Sequence, residues 1–192
     1  MKIGLYFGSF NPVHIGHLII ANHLCNNTAL QQVWMVVSPQ NPLKPSTTLL
    51  NEYNRLHLIQ TAIEGTVNLK VSTVEFNLPK PSYTVNTLTY LKEKFPQHEF
   101  AIIMGGDSFC NLTKWKNYEV IIKNHLLYIY NRPGFIINNT LGAQIEIIDA
   151  PLLEISSTHI RRLIQQGKSI RYLLPDTVKE EIEKNNYYRT AN

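Results

Sequence analysis

Cysteine is rare in this chain and long apolar runs are missing, and both absences limit the kinds of protein it can be. Only Cys25 and Cys110 occur among 192 residues, and their separation fits no metal-binding or redox spacing. We therefore expect reduced thiols and a cytoplasmic location. No apolar stretch approaches the roughly 18 residues of a membrane-spanning helix, and the apolar part of the N-terminus is too short for a signal peptide. We expect no membrane association.

Clustered positive charge is also lacking, although the chain is basic overall. The formal net charge is +4 and the sequence isoelectric point is about 9.0, but the Lys and Arg residues are scattered. A nucleic-acid-binding surface more often shows a basic face or stripe. We therefore predict phosphorylated small molecules, and no nucleic acid, as binding partners.

Short apolar runs alternate with segments of helical periodicity along most of the chain. Predicted strands cover 2–7, 33–37, 69–74, 100–104, 126–130 and 145–148, and predicted helices cover 15–25, 51–63, 84–95, 158–166 and 176–186. This alternation is typical of a parallel sheet with helices on both faces. We predict one α/β domain over residues 1–192, a Rossmann-like doubly wound parallel sheet with a small C-terminal helical part at about 156–192.

The segment that follows the first apolar run reads GSFNPVHIGH and extends from Gly8 to His17. At such a strand-to-helix turn backbone N–H groups become free, glycine permits close approach, and the helix N-terminus adds partial positive charge. His14 and His17, three residues apart, lie on one face of the predicted helix. Packed core histidines and zinc ligands are the alternatives, but no Cys or Glu cluster completes a zinc site. The pattern favours phosphate contact.

A second segment, from Ile155 to Arg161, reads ISSTHIR. A serine before a helix is often only an N-cap. Three consecutive hydroxyls and an arginine one turn later offer more than a cap, because they present hydroxyls, N–H groups and a guanidinium to one anion. This segment is a second candidate phosphate site.

Together the two segments resemble the nucleotidyltransferases that make dinucleotides or activated cofactors, and more narrowly the bacterial nicotinate-nucleotide adenylyltransferases. The supporting matches, in chain order, are PSYTxxTL from Pro81, MGGDS from Met104, LxxW from Leu112, RPG from Arg132 and IRYLxP from Ile170. The histidine motif alone is moderately specific, whereas the ordered set is highly specific.

The resemblance implies adenylyl transfer from ATP to nicotinate mononucleotide, giving nicotinate adenine dinucleotide and pyrophosphate in NAD biosynthesis. Mg²⁺ is implied as the cofactor, held largely by substrate phosphates and water, and no protein metal ligand is expected. The implied catalytic residues are His14, His17 and Arg161. The implied ATP-binding residues are Gly8, Ser9, Phe10, Gly16, Gly105, Asp107, Ser157 and Thr158, and those for the pyridine nucleotide are Lys44, Tyr83, Thr84 and Trp115. A homo-oligomer is left open.

The pyridine-binding residues also have simpler interpretations. Trp115 could be a stacking partner for a flat cationic ring or a half-buried core residue. Tyr83 and Thr84 could present helix N–H groups to the nicotinate carboxylate or form a packed cap. Lys44 could contact phosphate or be a solvated loop lysine, and its loop is shorter than in the bacterial enzymes and lacks their histidine. Asn86 replaces the usual aspartate after the SYT segment.

Several alternatives differ in substrate or in class. The departures near the pyridine site leave open an enzyme that prefers nicotinamide mononucleotide, and a non-catalytic nucleotide sensor could use the same fold. A class I aminoacyl-tRNA synthetase is disfavoured because the chain is short and lacks a KMSKS segment. A dehydrogenase is disfavoured because no GxGxxG follows the first strand.

Overall fold

A six-stranded parallel sheet organises the chain in the computed structural model, which describes residues 1–40, 49–151 and 153–189. The strands are β1 (Lys2–Gly8), β2 (Gln32–Val37), β3 (Leu69–Ser72), β4 (Glu99–Gly105), β5 (Leu127–Tyr130) and β6 (Ile145–Ile148). Their order is β3-β2-β1-β4-β5-β6, and every neighbouring pair is parallel. The predicted α/β fold class is therefore confirmed.

The register of the strands brings the predicted site segments to one edge of the sheet. Gly8 at the end of β1 pairs with Val37 at the end of β2, and Gly105 at the end of β4 pairs with Tyr130. The strand order reverses between β1 and β4, which is where doubly wound sheets bind ligands. The turn that starts at Gly8 lies at this reversal point.

Helices cover both faces of the sheet. Successive strand residues point to opposite sides, and both sides carry apolar side chains that the helices bury. Tyr6 packs on one face in a cluster with residues of α1 (Ile15–Asn27), α2 (Glu52–Ala62), α6 (Ser157–Gln165) and α7 (Asp176–Lys184). Leu5 packs on the other face in a cluster with residues of α3 (Thr84–Lys94), α4 (Gly106–Cys110) and α5 (Tyr118–Asn124). None of the helices in the described part of the chain is long and apolar enough to cross a membrane.

Two parts of the sequence interpretation need correction. The third strand ends at Ser72 rather than at residue 74, because a 3-10 turn begins at Val74 and extends to Asn77. The segment between β4 and β5 also contains α4, a 3-10 turn at Leu112–Lys114 and α5, none of which was predicted. These helices are seven residues or shorter, so they complete too few turns to produce a clear helical periodicity.

Candidate active site

Two adjoining cavities lie at the carboxyl edge of the sheet. The first, of about 300 Å³, is lined by His14, His17 and the start of α6. The second, of about 750 Å³, is lined by residues around Tyr83 and Trp115. Both cavities share the end of β1, so ligands in them would be neighbours. A third cavity, of about 640 Å³, lies between the ends of α6 and α7 and is lined by none of the predicted site residues that the structure describes.

The two histidines form a stacked pair at the start of α1. Their ring centroids are 3.7 Å apart with an interplanar angle of 25°. The backbone N–H of His14, the N-cap residue, donates to His17 Nδ1 at 3.3 Å. A ring whose Nδ1 accepts a hydrogen bond carries its proton on Nε2, so His17 has an Nε2–H donor.

His14 is the more buried member of this pair, with 4% of its surface exposed. Burial lowers the pKa of His14 to about 4, and the positive charge of Arg132 acts in the same direction. His14 is therefore a neutral imidazole at pH 7. Its Nδ1 is buried and has no hydrogen-bond partner among the residues that the structure describes.

Close packing explains the glycines of the turn before α1. A Cβ atom at Gly8 would lie 2.8 Å from the Phe10 ring, and one at Gly16 would lie 3.2 Å from the His14 ring. Phe10 is buried, has a positive φ of 45° and packs against the His17 ring with centroids 5.0 Å apart. Gly8, Ser9 and Phe10 line the smaller cavity. Small residues here allow the aromatic rings to set the shape of the turn.

The start of α6 is attached to the same turn. Ser157 Oγ donates to the Pro12 carbonyl at 2.8 Å, and Arg161 Nη1 donates to the Asn11 carbonyl at 2.7 Å. Arg161 Nη2 also donates to Thr158 Oγ1 at 3.3 Å. The fold therefore brings two segments about 145 residues apart to one cavity. Ser156 acts as the N-cap by accepting from the His159 N–H.

Asp107 occupies the wall that the two cavities share. Asp107 lies two residues after Gly105. A Cβ atom at Gly105 would lie 3.1 Å from the Tyr130 ring and would overlap the Asp107 carboxylate. Asp107 Oδ1 is 3.8 Å from Arg132 Nε, and the Arg132 guanidinium lies 5.1 Å from the Tyr130 ring centroid. Arg132 is not among the predicted site residues, although its RPG segment begins two residues after the end of β5. It adds positive charge to the smaller cavity.

Three of the four predicted pyridine-binding residues surround the larger cavity. Tyr83 is the N-cap of α3 and Thr84 is its first residue, so the first N–H groups of α3 have no acceptor within the helix. Trp115 is half-buried in the cavity wall, and Lys116 Nζ lies 4.6 Å from the Tyr83 ring centroid. Lys44, the fourth, lies outside the described residues.

Arg55 is a buried residue that sequence reasoning missed. It is fully buried and donates to the carbonyls of Leu50, Ser9, Ser38 and Pro39 at 2.8, 2.6, 2.9 and 3.3 Å. Ser9 and Ser38 belong to the turns after β1 and β2, so one guanidinium holds both cavity-lining turns. Arg55 lies on the buried stripe of α2 with Leu58 and Ile59. The signal available in the sequence was this charged residue on the apolar stripe of a predicted helix.

Comparisons with known proteins agree on one family. Residues 5–163 match the cytidylyltransferase-like family. A protein of Flavobacterium psychrophilum named probable nicotinate-nucleotide adenylyltransferase is 55% identical over 192 residues, covering 98% of this chain and all of that one. A protein of Bacteroides fragilis with the same name is 43% identical, covering 94% of this chain and 90% of its own.

The fold also resembles solved structures. Plasmodium falciparum nicotinic acid mononucleotide adenylyltransferase complexed with NaAD superposes with a TM-score of 0.83 at 22% identity, covering 97% of both chains. A Vibrio parahaemolyticus structure described as a putative nicotinate-nucleotide adenylyltransferase gives 0.74 at 22% identity, covering 99% of this chain and 96% of that one. At such low identity these two likenesses describe the fold alone.

Proposed function

The chain belongs to the cytidylyltransferase-like family and, within it, to the nicotinate-nucleotide adenylyltransferases, and we propose that the two adjoining cavities bind its two substrates. The enzyme transfers the adenylyl group of ATP to nicotinate mononucleotide, which yields nicotinate adenine dinucleotide and pyrophosphate for NAD biosynthesis. The observation that carries the site assignment is the shared wall between a cavity rich in phosphate-binding groups and one with an aromatic and helix-terminal lining.

We place ATP in the smaller cavity and along the shared wall. His17 Nε2–H, the Arg161 guanidinium and the Ser157 and Thr158 hydroxyls surround the space for the triphosphate. Donors fixed before the reaction stabilise charge that develops on a transferring phosphoryl group. The Asp107 carboxylate can accept hydrogen bonds from ribose hydroxyls.

Mg²⁺ is proposed as the cofactor that arrives with ATP. Asp107 is the only carboxylate among the described residues that line the smaller cavity. Because that carboxylate is assigned to the ribose, phosphate oxygens of ATP and water would supply the ligands of the Mg²⁺ ion. When bound, the ion would neutralise charge on the phosphates.

The nicotinate mononucleotide is placed in the larger cavity. The first N–H groups of α3 suit its carboxylate, and Trp115 suits its cationic ring. A 5′-phosphate oxygen then attacks the α-phosphorus of ATP, the new P–O bond forms, and the bond to the leaving pyrophosphate breaks. The attacking oxygen is already anionic, so positioning and charge stabilisation supply most of the catalysis.

Incubation of the pure protein with ATP, Mg²⁺ and either pyridine mononucleotide tests this function. We expect dinucleotide and pyrophosphate from the nicotinate substrate, less from the amide, and no product after chelation of Mg²⁺. Absence of product from both substrates would contradict the enzymatic function, and a strong preference for the amide would contradict only the choice of substrate.

Light scattering of the same sample measures the oligomeric state. Because ATP is the co-substrate, we also propose a cytoplasmic location.

A further inference from the structure

A buried carboxyl group, that of Glu75, borders the larger cavity. Glu75 lies in the 3-10 turn after β3 and is only 1% exposed. Thr87 Oγ1 donates to Glu75 Oε1 at 2.9 Å. Oε2 and the hydroxyl of neighbouring Ser82, which is 8% exposed, are both buried and make no well-aligned hydrogen bond within the described part of the chain. The wall of the cavity therefore contains a buried carboxyl group with hydroxyl groups beside it.

The surroundings of Glu75 are polar but contain no cation that pairs with it. Burial raises the pKa of Glu75, and the nearby hydroxyls of Thr87, Ser38 and Ser82 oppose this increase. None of the described Lys, Arg or His residues forms an ion pair with Glu75.

The elements packed most closely against this turn are β2 and α3. Tyr53 of α2 also contacts Phe76 of the turn, with ring centroids 5.3 Å apart, and buried Arg55 of the same helix is hydrogen-bonded to backbone carbonyls. The strand β2 has no titratable side chain, and the titratable side chains of α3 lie at 90–94, away from its first turn. Lys80, before the Ser82 loop, pairs with Glu52 at 2.8 Å. The other titratable side chains that line the cavity are Tyr6, Tyr83, Asp107, Lys114, Lys116 and Tyr130.

The N-terminus of α3 is thus adjacent to one carboxyl group before substrate binds. Thr87, which holds Glu75, lies in the first turn of this helix. This step rests on the proposed function, in which the nicotinate carboxylate binds at the N-terminus of α3. Two neighbouring carboxylates repel when both are ionised, so one of them gains a proton. The amide of nicotinamide mononucleotide is uncharged and exerts no such repulsion.

We propose that Glu75 takes up a proton from solvent on Oε2 when the nicotinate carboxylate binds, and that Glu75 thereby sets the discrimination between acid and amide substrates. Protonated Oε2 becomes a donor, whereas ionised Oε2 can only accept. The ionised form favours an amide N–H₂ group, and the protonated form favours a carboxylate. Binding of the acid substrate therefore weakens as the pH rises.

The test compares pH profiles of kcat/KM for nicotinate mononucleotide between wild type, Glu75→Gln and Glu93→Gln. Glu93 is an exposed carboxylate at the other end of α3, so its variant removes the same charge without touching the cavity. Above pH 7 at least about nine-tenths of the substrate phosphate is doubly ionised, since its second pKa is about 6. We expect kcat/KM of the Glu75→Gln variant, divided by that of the wild type, to rise by about threefold or more between pH 7 and 9. A threefold change in an equilibrium constant corresponds to about half a pKa unit. The ratio of kcat/KM for Glu93→Gln to that of the wild type should not change with pH.

Calorimetry of the wild type provides a measurement that does not depend on the variant's folding. Titrations in two buffers of different ionisation enthalpy count the protons taken up with each mononucleotide. We expect greater uptake with the acid than with the amide. Equal uptake, or a Glu75→Gln ratio that does not change with pH, would overturn the proposal. Absence of dinucleotide synthesis by the wild type would instead contradict the proposed function.

Discussion

Replacement of Arg55 by methionine tests whether one buried guanidinium organises the candidate active site. Methionine keeps an unbranched stem of similar length but removes every donor. The carbonyls of Ser9, Ser38, Pro39 and Leu50 then lose their hydrogen bonds from this side chain. The cavity turns after β1 and β2 lose their shared attachment.

The size of the effect follows from those four bonds. An orphaned buried polar group costs about 1–3 kcal/mol, and we take the lower limit because Ser9 and Ser38 border a cavity that water can enter. Four carbonyls then cost about 4 kcal/mol, and removal of a desolvated charge offsets part of this. We expect a net loss of about 3 kcal/mol in the free energy of unfolding. For a chain of this size that lowers Tm by about 6–12 °C.

Urea unfolding and steady-state kinetics on the same preparation measure both consequences. Displacement of the turns should also lower kcat/KM by about tenfold or more, since small misplacements of reacting groups are costly. Arg162→Met is the matched control, because Arg162 is exposed on α6, and its stability should change by no more than about 0.5 kcal/mol.

Two results would refute this reasoning about Arg55. An unchanged urea midpoint would mean that the four carbonyls find water or other donors without cost. A large loss of stability with unchanged kcat/KM would mean that the guanidinium supports the fold but does not position the turns. Arg55→Lys, which keeps the charge but not the forked geometry, should fall between methionine and wild type.

Three further substitutions test individual side chains of the site. His17→Ala should lower kcat by about a hundredfold or more with little change in the urea midpoint, and unfolding of the variant would indicate a structural ring. The folded-state pKa of His14 is about 4, below its unfolded value of 6.5, so stability should fall as pH drops from 6.5 towards 4. The loss is at most about 3 kcal/mol, and His14→Gln should reduce it in urea titrations at pH 4.5 and 7. Trp115→Ala should raise KM for nicotinate mononucleotide about tenfold and leave KM for ATP unchanged, with Trp115→Phe close to wild type. Equal increases in both KM values would argue against stacking on the pyridine.

The sequence was most informative where function depends on residues close together in the chain. The histidine pair, the glycines around it and the hydroxyl run before Arg161 each form a local pattern with a direct physical meaning. The carboxyl ends of parallel strands meet at one edge, so these segments could be expected to approach one another. Their approach is seen in the hydrogen bonds from Ser157 and Arg161 to the turn at Asn11 and Pro12. Their roles in binding ATP stay predictions.

The tertiary structure alone identified the residues that support this site. Arg55 bonds to a carbonyl 46 residues away, and Glu75 bonds to a hydroxyl 12 residues away. Backbone carbonyls and hydroxyls occur throughout any sequence, so such partners leave no distinctive pattern. The position of Arg55 on the apolar stripe of α2 was a signal in the sequence, but it does not show whether the charge is buried or reaches solvent. The sequence by itself determined the alternation of strands and helices and singled out the two segments predicted to bind phosphate, because periodicity and local motifs are properties of neighbouring residues. Which lone charges are buried, and which groups satisfy them, was decided only when packing brought distant parts of the chain together.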